Sequence, residues 1–490
     1  MNATPIAFTT PTPALDHLPV AVLGAGPVGL AALAQLLARG LEAVVLEAGP
    51  SVGAHLLDYG HVRLFSPWRY NVDAALAAAL RARGWQPPPD DEVPLAREVV
   101  ERVLQPYAAL PEVAPRLRLG TRAVALSREG FDKVKTAGRE QAAFVVRAIG
   151  PDGPLELRAR AVIDATGTWH QPNPLGANGL PALGEREQAS RIFYGIPDVL
   201  GRDRARYAGR HTLVVGAGHS AANALLGLAE LARSAPGTRL AWAVRSPTLA
   251  RVFGGGAADA LPARGQLGSE LRALRDSGSL TFLSGLRITA LHEQAGQLQV
   301  QGQDAEGRVI RLDGVDQIVC ATGQRPDLGL AAELRLKLDP WLESTEALGP
   351  LIDPNLHSCG TVRPHGHREL AHPEPGYYTV GVKSYGRAPT FLMATGHEQV
   401  RSVVAALAGD LAAADRVELA LPETGVCSAG GPAPAAAAGG AAAGCCGGPA
   451  RADASACCAL DEQKKAQGEA GCGCGTAARP QPAARAGCCA

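Results

Sequence analysis

Two glycine-rich hexapeptides carry the most specific chemical signal in this 490-residue sequence. The first, Gly24-Ala-Gly26-Pro-Val-Gly29, follows the apolar run 20–23 and precedes a segment with leucine and alanine at helical spacing. In such a motif the first glycine allows a tight turn, the second lets the backbone approach a pyrophosphate, and the third allows close helix packing. Because a helix N-terminus also favours phosphate charge, the motif predicts a dinucleotide site.

An acidic residue stands where the second strand of this unit should end. Glu47 follows the apolar run 43–46 and lies 23 residues after Gly24, where a carboxylate can accept hydrogen bonds from a ribose. A 2′-phosphate would meet this carboxylate as a like charge, which disfavours it. The first unit therefore predicts the adenosine diphosphate part of FAD or NAD.

A second loop, Gly216-Ala-Gly218-His-Ser220-Ala221, repeats the pattern after the apolar run 212–215. The strand that follows is succeeded by Arg245 and Ser246, with no acid. A guanidinium can pair with phosphate in a bidentate way, so this position favours NADPH over NADH. An ordinary solvent-exposed arginine is the alternative for Arg245, and His219 is interpreted as a helix-start residue.

Cysteine is concentrated at the end of the chain, where nine of the eleven residues fall after position 426. Eight of these form close pairs: Cys445 and Cys446, Cys457 and Cys458, Cys472 and Cys474, and Cys488 and Cys489. Adjacent cysteines do not readily form an unstrained disulfide, but neighbouring thiolates can share a soft ion such as Cu(I), Zn(II), Hg(II) or trivalent arsenic. The pairs predict a metal or metalloid site, with a low-complexity extension as the alternative.

The elements around these loops predict an α/β protein. Each glycine loop lies in a β-α-β unit, so we expect two Rossmann-like dinucleotide-binding domains. The alternating segment 117–158 predicts an antiparallel excursion, and a strand at 377–380 with a helix from about 397 to 407 returns the chain to the first domain. The predicted parts are a loose leader, 1–17; a first domain, 18–175; a second domain, 176–325; a return to the first, 326–410; and a disordered Ala/Gly/Cys-rich tail, 411–490.

Charge and targeting signals limit the classes of partner. The 47 basic and 47 acidic residues balance, so there is no electrostatic reason to expect nucleic acid or an anionic membrane. No targeting segment or membrane span is recognised, and the cysteine-poor body favours a reducing compartment. We therefore expect a cytoplasmic protein acting on a small molecule, with its oligomeric state open.

The two glycine loops together with Ala165-Thr166-Gly167 and Ala321-Thr322-Gly323 resemble the two-dinucleotide flavoproteins. These include the flavin-containing monooxygenases and the pyridine nucleotide-disulfide reductases. The resemblance implies FAD at the first loop and NADPH at the second, with both turns close to the nucleotides. It adds five residues to the predicted cofactor site: Ala165, Thr166, Gly167, Thr322 and Gly323.

Two departures separate the chain from these groups. Phe193 and Gly195 match a monooxygenase signature, but Val199 occupies the place of its histidine. No cysteine precedes Cys320, which excludes a disulfide reductase of the usual layout.

Three stretches, 61–68, 194–198 and 381–390 together with 394–399, resemble FAD-dependent oxidoreductases associated with arsenic resistance. That resemblance implies that the first stretch lies by the isoalloxazine ring and that the third closes the flavin site. Core packing is the alternative for Phe65 and Trp68.

The expected function is an NADPH-dependent FAD oxidoreductase, a monooxygenase that oxygenates a soft nucleophile in arsenic or heavy-metal detoxification. A reductase that passes electrons through the tail cysteines to a bound ion is one alternative. A thiol-rich metal buffer or chaperone on a vestigial flavoprotein fold is another. The sequence identifies no catalytic acid or base.

Overall fold

The computed structural model describes residues 15–247, 253, 259, 261–356, 362–389 and 391–419. All of them belong to one unit, Met1–Ala429. The predicted metal ligands from Cys445 to Cys489 therefore lie outside the described residues.

Strands of the described residues form two parallel and two antiparallel sheets. In chain order they are β1 (Val20–Leu23), β2 (Ala43–Leu46), β3 (Leu117–Arg118), β4 (Arg122–Arg128), β5 (Phe144–Gly150), β6 (Gly153–Ala159), β7 (Ala161–Asp164), β8 (Ile192–Tyr194), β9 (His211–Val215), β10 (Arg239–Ala243), β11 (Thr281–Leu283), β12 (Arg287–Gln294), β13 (Gln297–Gln303), β14 (Val309–Val315), β15 (Gln317–Cys320) and β16 (Tyr377–Thr379).

Helices cover the sheets and close the domains. In chain order they are α1 (Pro27–Ala38), α2 (Ala54–Asp58), α3 (Ala74–Arg81), α4 (Ala96–Val99), which continues through a π-helical turn (Val100–Leu104) into α5 (Gln105–Ala108), α6 (Arg204–Tyr207), α7 (His219–Ser234), α8 (Pro262–Asp276), α9 (Gly349–Ile352), α10 (Met393–Leu407) and α11 (Leu411–Asp415).

The first parallel sheet has the strand order β16-β7-β1-β2-β3. Every residue of β1, β2 and β7 is buried, because helices and connecting segments cover both faces of a parallel sheet. Strand β16 pairs with β7 after a gap of more than 200 residues in sequence. The first domain is therefore discontinuous, as the sequence predicts.

The second parallel sheet has the order β11-β10-β9-β15-β8. Its central strand β9 is buried throughout, and α7 packs against β9, β10 and β15. In both sheets the strand that precedes a glycine loop lies in the interior. Each loop follows the carboxyl end of its strand, which is the edge at which open α/β sheets bind ligands. The two sheets confirm the predicted fold class.

The antiparallel sheets differ in part from the sequence prediction. The excursion consists of β4, β5 and β6 and begins at Arg122, because β3 pairs with β2 in the parallel sheet. A second antiparallel sheet, β12-β13-β14, was not predicted. Its strand β13 alternates in the same way, with Leu298 and Val300 fully buried and Gln299 between them.

The end of the folded region also extends the predicted boundaries. Helix α10 begins at Met393, four residues before the predicted start. Helix α11 packs on α10, since the Ser402 hydroxyl donates to the Ala414 carbonyl at 2.7 Å. Residues 411–415 therefore belong with the folded body.

Within the described ranges, no helix combines the length and the apolar character that crossing a bilayer requires.

Candidate functional site

The first glycine loop has the geometry that its sequence motif predicts. Gly24 has a φ of 96°, and a Cβ added to it would lie 2.7 Å from the Ala165 carbonyl oxygen. A Cβ at Gly29 would lie 1.9 Å from the Gly24 carbonyl oxygen. Neither position can accept a side chain without backbone movement, so the loop, α1 and the turn after β7 pack backbone to backbone.

Gly26 differs from both because a Cβ there would meet no atom within 4 Å. It is the N-cap of α1, which has no side-chain cap and no acidic residue in its first turn. The first backbone N–H groups of a helix have no acceptor within the helix, and here the N-cap residue supplies none and leaves open space beside it. This arrangement fits a dinucleotide pyrophosphate.

Glu47 fixes the loop from the neighbouring strand. Its carboxylate is 7% exposed, and its two oxygens accept the N–H groups of Ala25 and Gly49, each at 2.6 Å. A carboxylate oxygen has a second lone pair, so these bonds leave capacity for ribose hydroxyls. The predicted role of Glu47 at a ribose is compatible with its position.

The second glycine loop reproduces the same contacts. A Cβ at Gly216 would lie 2.2 Å from the Ala321 carbonyl oxygen, while one at Gly218 would meet nothing within 4 Å. Gly218 is the N-cap of α7, which again lacks a side-chain cap and an acidic first turn. Ser220 and the buried Ala221 lie in the first turn of α7. Two equivalent loops thus present open helix N-termini.

The turns after β7 and β15 are also equivalent. In the first, the Thr166 hydroxyl donates to the Asp164 carboxylate at 2.7 Å. In the second, the Thr322 hydroxyl lies 3.2 Å from the Cys320 sulfur and donates to the Asn173 carbonyl at 2.9 Å. Both hydroxyls stabilise the turns themselves. Toward a cofactor, each hydroxyl would therefore act only as a hydrogen-bond acceptor.

A buried ion pair holds the returning chain against the first turn, and sequence reasoning missed it. Lys383 Nζ lies 2.7 Å from Asp164 Oδ2 and 3.0 Å from the Thr166 hydroxyl. The two charged side chains are 3% and 0% exposed. Burial would raise the pKa of Asp164, but the Lys383 charge and hydrogen bonds from Lys383 and Thr166 outweigh burial and hold this pKa below its ordinary value, so the carboxylate stays charged. In the sequence, the signal for this ion pair was a lysine within the stretch that is predicted to close the flavin site.

The segments that connect the two domains run side by side. The Asn173 N–H donates to the Gly323 carbonyl at 2.9 Å, and its side-chain amide donates to the Thr322 carbonyl at 3.1 Å. Arg325 Nε donates to Asn173 Oδ1 at 2.9 Å. These bonds join the two crossing segments into one double-stranded connector, and Gly167 and Gly323 lie at its two turns with positive φ.

Arg245 and Ser246 follow β10, next to the second glycine loop. Both are exposed, and the Arg245 guanidinium donates to the Ala177 carbonyl at 2.9 Å. An exposed guanidinium at the end of the strand after the glycine-loop helix can reach an adenosine 2′-phosphate. The assignment of these two residues to NADPH remains a prediction.

Aromatic pairs join the first domain to the connector and to the second domain. The rings of Phe65 and His219 have centroids 4.9 Å apart, so the first residue of α7 faces the first domain. Tyr59 packs on Trp169 with centroids 4.8 Å apart. The Nε2 atoms of His55 and His170 are 2.7 Å apart, and burial followed by the His170 charge lowers the pKa of His55.

Within the described ranges, Cys320 is the only cysteine. It is 3% exposed, and burial raises the pKa of its thiol to about 12. A thiol with such a pKa is protonated and unreactive near neutral pH. In the same ranges no group of three or more histidine, cysteine or acidic side chains is placed to hold a metal ion.

Comparison with known proteins agrees with this geometry. No protein-family profile matches the chain. A ferredoxin–NADP reductase of Salinispora tropica is 30% identical over 328 residues, 66% of this chain and 80% of that protein. The indole-3-pyruvate monooxygenase YUCCA1 of Oryza sativa subsp. japonica is 28% identical over 204 residues, 41% of this chain and 42% of that protein.

Fold and loops together define a flavoprotein with two dinucleotide-binding domains. The bacillithiol disulfide reductase of Bacillus cereus shares this fold with a TM-score of 0.57 at 18% identity, over 80% of this chain and 99% of that one. The chain belongs to the family of FAD-dependent oxidoreductases that contains the ferredoxin–NADP reductase of Salinispora tropica. The predicted class of enzyme is therefore confirmed.

Proposed function

We propose that this protein is an NADPH-dependent, FAD-containing monooxygenase. The observation that carries the proposal is the pair of equivalent loops, each with an open helix N-terminus at Gly26 or Gly218. Two dinucleotides bound in one chain allow hydride transfer between them, and FAD, when bound, supplies the redox and oxygen chemistry. The protein contributes binding, orientation and exclusion of water.

The described residues divide these tasks between the domains. At the first loop, the N-terminus of α1 would bind the FAD pyrophosphate and Glu47 would accept ribose hydroxyls. At the second loop, the N-terminus of α7 would bind the NADPH pyrophosphate and Arg245 its 2′-phosphate. Lys383 and Asp164 hold the returning chain on the first turn.

The state of Cys320 favours oxygen over a flavin-linked disulfide as the electron acceptor. A reductase of the usual layout needs a reactive dithiol, whereas Cys320 is buried with its pKa raised to about 12. The resemblance of residues 61–68, 381–390 and 394–399 to oxidoreductases associated with arsenic resistance supports a monooxygenase for a soft nucleophile. We propose a trivalent arsenical or a thiolated metal complex as substrate, and a metal or metalloid as ligand of the tail pairs.

Stoichiometry tests the proposal. Full-length protein containing FAD is mixed with NADPH in air, and NADPH oxidation, oxygen uptake, hydrogen peroxide and oxidised arsenical are measured with and without arsenite. A monooxygenase consumes one oxygen per NADPH and replaces hydrogen peroxide by oxygenated product when substrate is added. Oxygen uptake that gives hydrogen peroxide alone with every soft nucleophile tested would contradict it.

A second candidate is a reductase for a one-electron acceptor, which the 30% identity to a ferredoxin–NADP reductase favours. Anaerobic NADPH oxidation with added ferredoxin distinguishes it, since a monooxygenase shows no turnover without oxygen.

The two tail-based alternatives have their own test. A full-length variant with serine at the eight paired cysteines should keep oxygen-coupled NADPH oxidation if the enzyme is a monooxygenase. A reductase that works through the tail loses its acceptor activity. A metal buffer on a vestigial fold shows negligible NADPH oxidation with or without those cysteines.

A further inference from the structure

One segment of the first domain, residues 58–65, touches the second domain at two separate places. At one end, Arg202 Nη2 donates to the Asp58 carbonyl oxygen at 2.6 Å. At the other end, the Phe65 ring packs on His219. His61, between them, faces the Pro197 backbone and the Asp198 carboxylate. We name residues 58–65 the interdomain segment.

The two contact points lie on structurally fixed parts of the second domain. His219 is the first residue of α7 and follows Gly218 directly. Arg202 lies in a tight loop in which the Asp198 carboxylate accepts the N–H groups of Gly201 at 3.0 Å and Arg202 at 3.3 Å. The interdomain segment therefore contacts the N-terminal end of α7, next to the second glycine loop. It also contacts a loop that is held in place by its own hydrogen bonds.

The interdomain segment also contacts the covalent connection between the domains, because Tyr59 packs on Trp169. The two connecting segments meet at Asn173 and form a single connector. A connector of two strands limits separation of the domains but leaves rotation about its own direction. The hydrogen bond to the Asp58 carbonyl and the packing of Phe65 on His219 are two further contacts between the domains, and both oppose that rotation.

We propose that Arg202 and Phe65 are positioning residues that hold the second domain in the orientation for hydride transfer from NADPH to FAD. This inference rests on the proposed function. Neither residue exchanges a proton or electron in the step, in which NADPH is oxidised to NADP⁺ as FAD accepts the hydride. Both act through orientation, to which transfer rates are sensitive.

The exposure of these two side chains indicates that they affect the orientation of the domains and not their folding. The Arg202 side chain is 56% exposed, and Phe65 is half-buried. Surface contacts of this kind contribute little to the stability of a fold. Removal of either side chain should leave both domains folded and change mainly their mutual orientation.

The test compares two ways of reducing the flavin in full-length holoprotein. Anaerobic stopped-flow records flavin bleaching by NADPH, which needs domain orientation, and by dithionite, which does not. For Arg202→Met we expect NADPH reduction about tenfold slower at saturating NADPH, because misplaced reactants lose rate steeply. Dithionite reduction and the NADPH dissociation constant should stay unchanged. Phe65→Leu should act in the same direction.

Two matched variants complete the design. Arg202→Lys keeps a donor for the Asp58 carbonyl and should recover most of the rate. Arg233→Met removes an exposed arginine on α7 that pairs with Glu230 within the same helix, and it should behave as wild type. An unchanged or faster NADPH reduction in Arg202→Met and Phe65→Leu would overturn the inference. If wild-type flavin is reduced by dithionite but never by NADPH, the proposed function fails as well.

Discussion

At the scale of single residues, the charges at the two sites have different tasks. Asp164 and Lys383 face each other in the interior, where an unpaired charge is costly. Arg245 is exposed and can exchange its contact with the Ala177 carbonyl for a phosphate. We expect the pair of Asp164 and Lys383 to govern the stability of the fold, and Arg245 to govern the preference for NADPH over NADH.

Arg245→Gln should weaken NADPH binding without affecting NADH. A charge-assisted hydrogen bond contributes about 1.5–3 kcal/mol, which corresponds to roughly 10- to 100-fold in the dissociation constant. Titration of flavin reduction with each nucleotide measures this ratio. Arg311→Gln, on the unrelated strand β14, is the control. Equal loss of NADPH and NADH affinity would show that Arg245 does not contact the 2′-phosphate.

Lys383→Met should destabilise the protein by about 3–5 kcal/mol, because it leaves the Asp164 carboxylate charged and buried. The double variant Asp164→Asn with Lys383→Met should recover much of that loss. Urea unfolding followed by circular dichroism gives the free energy of unfolding for both variants. Additive losses in the double variant would show that the two side chains do not interact.

The sequence could not predict this pair, because its members are 219 residues apart in the chain. Only the folded return of β16 and the turn after it brings Lys383 to the first domain. Glu47 could be predicted, since a local β-α-β pattern fixes its place. Its bonds to Ala25 and Gly49 became visible only in the structure.

At the scale of elements, each glycine loop contains residues in close backbone packing and a residue beside open space. Gly24 and Gly29 are required by close backbone contacts, whereas Gly26 faces open space. The motif alone predicted the tight turn at Gly24 and the close packing at Gly29, because its spacing reflects the local geometry of strand, turn and helix. The sheet β12-β13-β14 was missed although its alternation was available, since no motif drew attention to it.

Gly26→Ala should leave the free energy of unfolding of the apoprotein within about 1 kcal/mol of wild type, as expected for a helix N-cap. It should reduce FAD retention, because the methyl group occupies space beside the pyrophosphate position. Gly29→Ala is the contrasting variant and should lower stability itself. Flavin absorbance after gel filtration measures retention. Full FAD retention in Gly26→Ala would place the pyrophosphate elsewhere.

At the scale of the whole molecule, buried histidines set the response to acid. Burial lowers the pKa of His372 to about 4 and shifts those of His365 and His397 in the same direction. The unfolded chain therefore binds more protons than the folded one below a pH of about 6.5. Stability conferred by the neutral histidines is complete above that pH and is lost as the pH falls toward 4.

The free energy of unfolding should thus decline between pH 6.5 and 4, with His372 alone accounting for about 3 kcal/mol. Urea titrations at several pH values provide the curve. His372→Gln removes the titrating group and should flatten it. A slope that is the same in wild type and His372→Gln would contradict the assignment.

The central claim is that this chain couples NADPH to FAD through its two dinucleotide loops. Anaerobic titration of the purified full-length protein with NADPH, followed at the flavin absorbance band, tests it most directly. We expect that one equivalent of NADPH bleaches the flavin and that NADH does so only at much higher concentration. A protein purified without flavin absorbance, or a flavin that NADPH leaves oxidised, would contradict it.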